Sequence, residues 1–127
     1  MIKYDSDRVL LLQKLMVEAT GGTAGVRDFN LLDSALENAY QTFDGKELYP
    51  KKQEKAARIG YSLVSNHAFV DGNKRIGMYI MLAFLEAGGM AVHVPNEEIV
   101  RVGKSLADGG MKYNDLLEWV NNNVNKR

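Results

Sequence analysis

His67-Ala68-Phe69-Val70-Asp71-Gly72-Asn73-Lys74-Arg75 runs directly into Ile76-Gly77-Met78-Tyr79-Ile80-Met81-Leu82-Ala83-Phe84-Leu85. The second half decides the fold. Its residues are apolar on nearly every side of a helix, so a helix over residues 73–87 is expected to be buried on most sides and to sit at the centre of the domain. Gly88-Gly89 ends it. The first half carries the polar chemistry, at the point where one helical pattern stops and this more hydrophobic one begins.

Working outward, Pro50 pre-sets φ and is expected to open the preceding helix. Its apolar stripe is Ala56, Ile59, Gly60, Leu63 and Val64, and the same spacing continues to His67. His67 is therefore expected to point inward, with the helix ending between Asn66 and Phe69. Upstream of Pro50, the stretch from Gln41 to Tyr49 contains Asp44-Gly45 between strand-compatible residues, the signal of a type I′ hairpin. Asn30 is read as the cap of a short helix in which Leu32, Ala35, Leu36 and Ala39 share one side. Over residues 6–19, Val9, Leu12, Met16 and Ala19 recur at helical spacing, Leu11 and Leu15 widen the face, and Ser6 is the expected cap.

Downstream, residues 90–94 read as a strand or an extended connector. Asn96 is the expected cap of a fifth helix, with Glu97 and Glu98 in its first turn and Ile99, Val102 and Leu106 on its inner side. A last helix over residues 113–124 presents Tyr113, Leu116, Leu117, Val120 and Val124, with Trp119 packed against the domain. Asn121-Asn122-Asn123 and the basic end are expected to fray. The resulting fold class is all-α: one compact helical bundle over residues 1–127 around a buried central helix, with a small β-hairpin flap.

Composition narrows the functional classes. The 127 residues carry 16 Lys plus Arg against 16 Asp plus Glu, a formal net charge of zero, which opposes general nucleic-acid binding. A helix-turn-helix reading is opposed further by a recognition helix as apolar as residues 76–85. There is no cysteine, so disulfides and thiolate metal sites are excluded. Residues 1–8 hold no apolar signal region, and the run from Ile76 to Leu85 is far short of the ~20 residues that a membrane span needs. A cytoplasmic location is expected.

The residues at the mouth of the central helix fit phosphate chemistry. A helix N-terminus presents unpaired N–H groups and the positive end of the dipole. Lys74 and Arg75 in the first turn oppose that dipole, which makes sense if they face an anion. Gly72 permits close backbone approach, and Asn73 adds an amide. Asp71 can hold Mg²⁺ through one carboxylate while phosphates supply other oxygens. His67 is the natural general base for an attacking hydroxyl. Each part has an ordinary structural reading too: a core histidine, a turn with a helix cap, a solvated pair of cations. Their concentration in one short segment favours the chemical reading. His93, between Val92 and Val94, is read as structural or surface.

His67-Ala68-Phe69-Val70-Asp71-Gly72-Asn73-Lys74-Arg75 resembles the signature H-x-F-x-D/E-G-N-G/K-R of the Fic/Doc family. Gly25-Val26-Arg27-Asp28, Leu31-Leu32-Asp33-Ser34-Ala35-Leu36 and Glu47-Leu48-Tyr49-Pro50 resemble segments of its death-on-curing (Doc) branch, so the likeness covers most of residues 25–90. It implies a compact helical protein that moves part of a nucleoside triphosphate, here ATP, onto a hydroxyl of a target protein with Mg²⁺. His67 would be the base, Asp71 the metal ligand, Gly72, Asn73 and Lys74 the phosphate cradle, and Arg75 a phosphate contact or loop support. Phe69 would anchor the loop. The hairpin would align the target by strand pairing, with Arg27 and Asp28 helping to shape it.

Two departures bear on the reaction. AMP-transferring Fic proteins carry a second arginine three residues after the first, where this chain has Met78. That resembles Doc, whose relatives phosphorylate elongation factor Tu. Gly72, by contrast, matches the AMP-transferring pattern. The inhibitory helix pattern S/T-x-x-x-E-G/N of self-regulating Fic proteins is not found, which resembles toxins silenced by a separate antitoxin. The resemblance thus implies a Doc-like toxin with a cognate antitoxin, transferring a phosphoryl group. AMP transfer by the same site and a non-catalytic module of the same fold are the alternatives.

Overall fold

In the computed structural model, which describes residues 3–126, six helices are joined by two small antiparallel ribbons. The chain order is α1 (Ser6–Thr20), α2 (Phe29–Glu37), a 3-10 turn (Asn38–Tyr40), β1 (Thr42–Phe43), β2 (Lys46–Glu47), α3 (Lys52–Asn66), α4 (Asn73–Ala87), β3 (Met90–Val92), α5 (Asn96–Asp108), α6 (Tyr113–Asn123) and β4 (Val124–Lys126). The all-α class with a hairpin holds. No helix among the described residues is long and apolar enough to cross a membrane.

The centre is α4, which packs most extensively on α3 and then on α5. Ile76, Gly77, Met78, Ile80, Met81, Phe84 and Leu85 are buried. A Cβ on Gly77 would lie 2.5 Å from Cγ2 of Val64, so this glycine lets α3 and α4 approach closely. Burial is not uniform, however: Tyr79 is 53% exposed and Leu82 partly so, because one side of α4 faces a groove rather than another helix.

Helix α1 is rotated relative to the sequence expectation. Its buried line is Val9, Gln13 and Val17, while Leu11 and Leu15 are more than half exposed. The caps differ as well. Asp5, not Ser6, caps α1 by accepting from Arg8 N at 2.8 Å, and the Ser6 hydroxyl instead bonds Asp33 of α2. Asp28, not Asn30, caps α2, accepting from Asn30 N at 2.9 Å and Leu31 N at 3.2 Å. Carboxylates are equally good caps and stand one or two positions earlier in both segments. Pro95 holds the cap position of α5, with Asn96 its first residue. Likewise α3 starts at Lys52, two residues past Pro50, where Glu54 reaches back to Lys51 N at 2.9 Å.

The hairpin forms as the Asp-Gly pair dictates. Asp44 and Gly45 both have positive φ (54 and 78), and Thr42 pairs with Glu47 while Phe43 pairs with Lys46. Its base is tied to α3 by Lys55, 7% exposed, whose Nζ meets Glu47 Oε1 at 2.8 Å and donates to the Tyr49 carbonyl. Residues 124–126 do not fray, and Arg127 lies outside the described residues. Val124 turns into the extended region and β4 pairs with β3, Val124 opposite Val92 and Lys126 opposite Met90. The ladder bonds of β3 supply what the asparagine-rich sequence lacks. Trp119 is buried on α6 and its Nε1 donates to Glu98 of α5 at 3.2 Å, whereas His93 is exposed.

Candidate active site at the mouth of the central helix

Helix α3 ends at Asn66 because His67 adopts the left-handed conformation (φ 51, ψ 48). A non-glycine residue held there costs about 1–3 kcal/mol and persists only where neighbours over-determine it. Arg27 does so, Nε donating to the His67 carbonyl at 2.8 Å and Nη2 to that of Asn66 at 3.3 Å. These carbonyls lack helical partners, and the helix dipole favours a cation beside them. Arg27 and Asp28 therefore shape the histidine loop and the start of α2 rather than the hairpin.

The left-handed turn also removes His67 from the buried stripe. Its side chain is exposed, contrary to the inward expectation, because the helical period stops one residue before it. Nδ1 lies 3.0 Å from the Ser65 carbonyl. A carbonyl can only accept, so Nδ1 carries the proton and Nε2 of the neutral ring keeps its lone pair. This is the tautomer a general base requires.

Beyond His67 the loop runs beside residues 25–28. Val26 and Phe69 form an antiparallel bridge, Val70 N donates to the Gly25 carbonyl at 3.1 Å, and the Ala68 carbonyl accepts from Arg27 N (2.7 Å) and Asp28 N (3.1 Å). Phe69 is only 1% exposed. The Asn73 side chain closes back on Phe69, accepting from its N and donating to its carbonyl, both at 3.0 Å. One of the two Nδ2 hydrogens is thus used within the loop.

Gly72 has φ 75 and precedes α4. The first helical bond is Ile76 N to the Gly72 carbonyl at 2.8 Å, so the N–H groups of Asn73, Lys74 and Arg75 precede any helical acceptor. They are the donors an anion would meet. The direction in which a Cβ of Gly72 would point is filled by Met16 Cε at 2.8 Å. Gly72 therefore admits α1 on that side, besides supplying the positive φ.

The side chains that follow diverge. Arg75 turns toward α1, where Nη1 donates to Thr20 Oγ1 and Nη2 to the Gly21 carbonyl at 3.3 Å. Asp71 faces the same loop, its Oδ2 accepting from Thr23 N at 3.0 Å. Gly22 lies between them: a Cβ there would be 3.4 Å from Asp71 Oδ2 and 3.5 Å from Arg75 Nη2. Lys74 instead faces α5 and, among the described residues, pairs with no acid. It lines a groove of about 580 Å³ together with Arg75, Met16, Met78, Tyr79 and Lys104. A second apolar cleft, between Leu12, Leu15 and Ala19 of α1 and Ile76 of α4, shares Met16 and Tyr79 with it.

The residues present are compatible with Mg²⁺. No three His, Asp or Glu side chains converge among the described residues. Asp71 offers a single exposed carboxylate, and its Oδ1 accepts none of the hydrogen bonds described. Mg²⁺ is held in this way, by one or two carboxylates with water and phosphate oxygens completing the octahedron.

The profile of the Fic/DOC family matches residues 3–85. The chain belongs to the Fic/DOC family. It is also 43% identical over 72 residues to Toxin Doc of Mycolicibacterium smegmatis, an alignment covering 57% of this chain and 55% of that protein. The chain therefore spans about half the length of that curated relative. Asp71 and Arg75 meet at Gly22 beside the helix mouth, and Lys74 and Arg75 both line the groove between α1, α4 and α5.

Sequence reasoning missed Gln13, Thr23 and the loop-holding role of Arg27. Gln13 had a legible signal: it is the one polar residue on the line Val9–Gln13–Val17, four and eight residues along one face. Thr23 had none, since its contribution is a backbone N–H.

Proposed function

We propose that the chain is a Doc-like toxin that transfers the γ-phosphoryl group of Mg·ATP to a hydroxyl of a target protein, a translation factor such as elongation factor Tu. The observation that carries the reading is the Fic/Doc signature folded around free amides at the mouth of α4, with Asp71 and Arg75 meeting at Gly22. Nε2 of His67 would take the proton of the attacking hydroxyl. The α4 amides and Lys74 would hold phosphate oxygens, and Arg75 would add charge from the α1 side. Asp71 would hold Mg²⁺, which when bound neutralises charge on the phosphates. The transition state is loose, so positioning and charge stabilisation matter more than the base. The hairpin, anchored by Lys55, would pair with an extended segment of the target.

Phosphoryl rather than AMP transfer is favoured by Met78, 3% exposed, an apolar residue where AMP-transferring relatives carry a second arginine. Gly72 is the residue that favours AMP transfer. A cognate antitoxin is the expected partner, and the apolar groove along α1, α4 and α5, with Lys74 and Lys104 at its walls, suits an amphipathic acidic segment. The first test combines calorimetric binding of Mg·ATP to the partner-free chain with growth of a bacterial host expressing it. Binding in the millimolar range or tighter, with growth arrest lost in His67→Ala, supports the enzyme reading. No binding, with unchanged arrest in His67→Ala, leaves only the non-catalytic module.

A further inference from the structure

Gln13 is fully buried, in the middle of α1, and every polar atom of its side chain is used. Nε2 donates to the carbonyls of Thr23 at 3.2 Å and Asp71 at 3.0 Å, and Oε1 accepts from Gly25 N at 3.2 Å. Two carbonyls and one amide define which end of the side chain is which, so its orientation follows from its partners. These bonds close a ring. Gln13 grips the backbone of Asp71 and the carbonyl of Thr23, while Thr23 N in turn grips Asp71 Oδ2.

The loop that Gln13 holds could not hold itself. Gly21, Gly22 and Gly25 all have positive φ (93, 113 and 129), and glycine is the residue with the most backbone freedom to lose. Fixed by Gln13, the loop presents Thr23 N to one carboxylate oxygen of Asp71. The other, Oδ1, accepts no hydrogen bond among the described residues. We infer that Gln13 is a positioning residue of the active site: it fixes the rotation of the Asp71 carboxylate so that Oδ1 is the oxygen free for Mg²⁺. The inference rests on the reading of Asp71 as the metal ligand. An ordinary core residue at this position would pack against Val9 and Val17, but it would leave two carbonyls and one amide of the loops without partners.

The test compares ATP affinity in Mg²⁺ with ATP affinity in EDTA, for the wild type, Asp71→Asn, Gln13→Glu and Gln13→Met. Gln13→Glu keeps an acceptor for Gly25 N and loses the donors; Gln13→Met keeps only the bulk. Both are expected to lower the Mg²⁺ enhancement about tenfold or more, as removal of second-layer ligand partners does. Metal-free affinity should stay within twofold. A merely structural role would lower both affinities together. Full enhancement in the Gln13 variants, with enhancement lost in Asp71→Asn, overturns the inference alone. Enhancement absent from the wild type and unaffected by Asp71→Asn overturns the metal reading and this inference with it. Should both Gln13 variants fail to fold, side-chain amide NMR of the wild type decides. The Gln13 Nε2 protons should shift on adding Mg²⁺ to the ATP-bound chain, and no shift contradicts the inference.

Discussion

The side chain of Asn73, the first residue of α4, closes a ring on the backbone of Phe69, with Oδ1 accepting from Phe69 N and Nδ2 donating to the Phe69 carbonyl, both at 3.0 Å. Two bonds from one side chain tie Phe69 to the helix mouth, while Arg27 and Gly25 hold the residues on either side of it. Asn73→Ala removes both and leaves an amide and a carbonyl of a buried residue without partners. A loss of about 1–3 kcal/mol in unfolding free energy is expected by urea denaturation. Asn73→Asp, which keeps the acceptor and loses the donor, should fall between the two.

Phe69 itself is 1% exposed within the core. Phe69→Ala should cost about 3–5 kcal/mol by the same measurement, since the cavity lies between packed helices and a loop held by backbone bonds. A loss under ~1 kcal/mol would mean that the loop collapses into the space.

Lys55 ties the hairpin to α3 through Glu47 and the Tyr49 carbonyl. In Lys55→Met the hairpin keeps its ladder and loses its anchor. Hydrogen exchange of the Leu48 amide, which donates to the Gln41 carbonyl at 3.0 Å, should accelerate about tenfold or more, while amides in the middle of α4 change little.

Glu98 is held at a pKa of about 2 by its hydrogen bonds from Arg101 and then from Trp119, below the 4.5 of a free carboxyl. The unfolded chain binds this proton first as pH falls. The contribution is therefore complete above pH 4.5 and lost as pH falls toward 2. Thermal melts of Glu98→Gln should show a smaller drop than wild type across that window. Tyr113 gives the opposite edge. Burial first, then Glu54 and Tyr49, push its phenol up to about 12, so its contribution is complete below pH 10 and lost between 10 and 12. Tyr113→Phe should flatten that alkaline limb.

The central helix was legible because a run such as Ile76–Leu85 has only one stable place in a small domain, and the hairpin because Asp44-Gly45 needs positive φ at both positions. Helix caps were read one or two residues late, since Asp5 and Asp28 compete equally with the Ser6 and Asn30 that follow. The inward His67 failed for a different reason. Periodicity extrapolates only while the helix continues, and a left-handed residue held by a distant arginine is invisible to it. The β3–β4 ribbon and the partners of Gln13 lie far apart in sequence, so no local pattern records them, although Gln13 itself stands out as the one polar residue on the line Val9–Gln13–Val17. Which residues to consider for the site was thus legible, but not which loop holds each one.

The most direct test follows the label. The partner-free chain is incubated with Mg²⁺ and a bacterial translation extract, with ATP labelled at either the α or the γ phosphate. The expected result is γ label on a protein band, dependent on Mg²⁺ and lost in His67→Ala and Asp71→Asn. Label from the α phosphate, or γ label that persists in both variants, would contradict it.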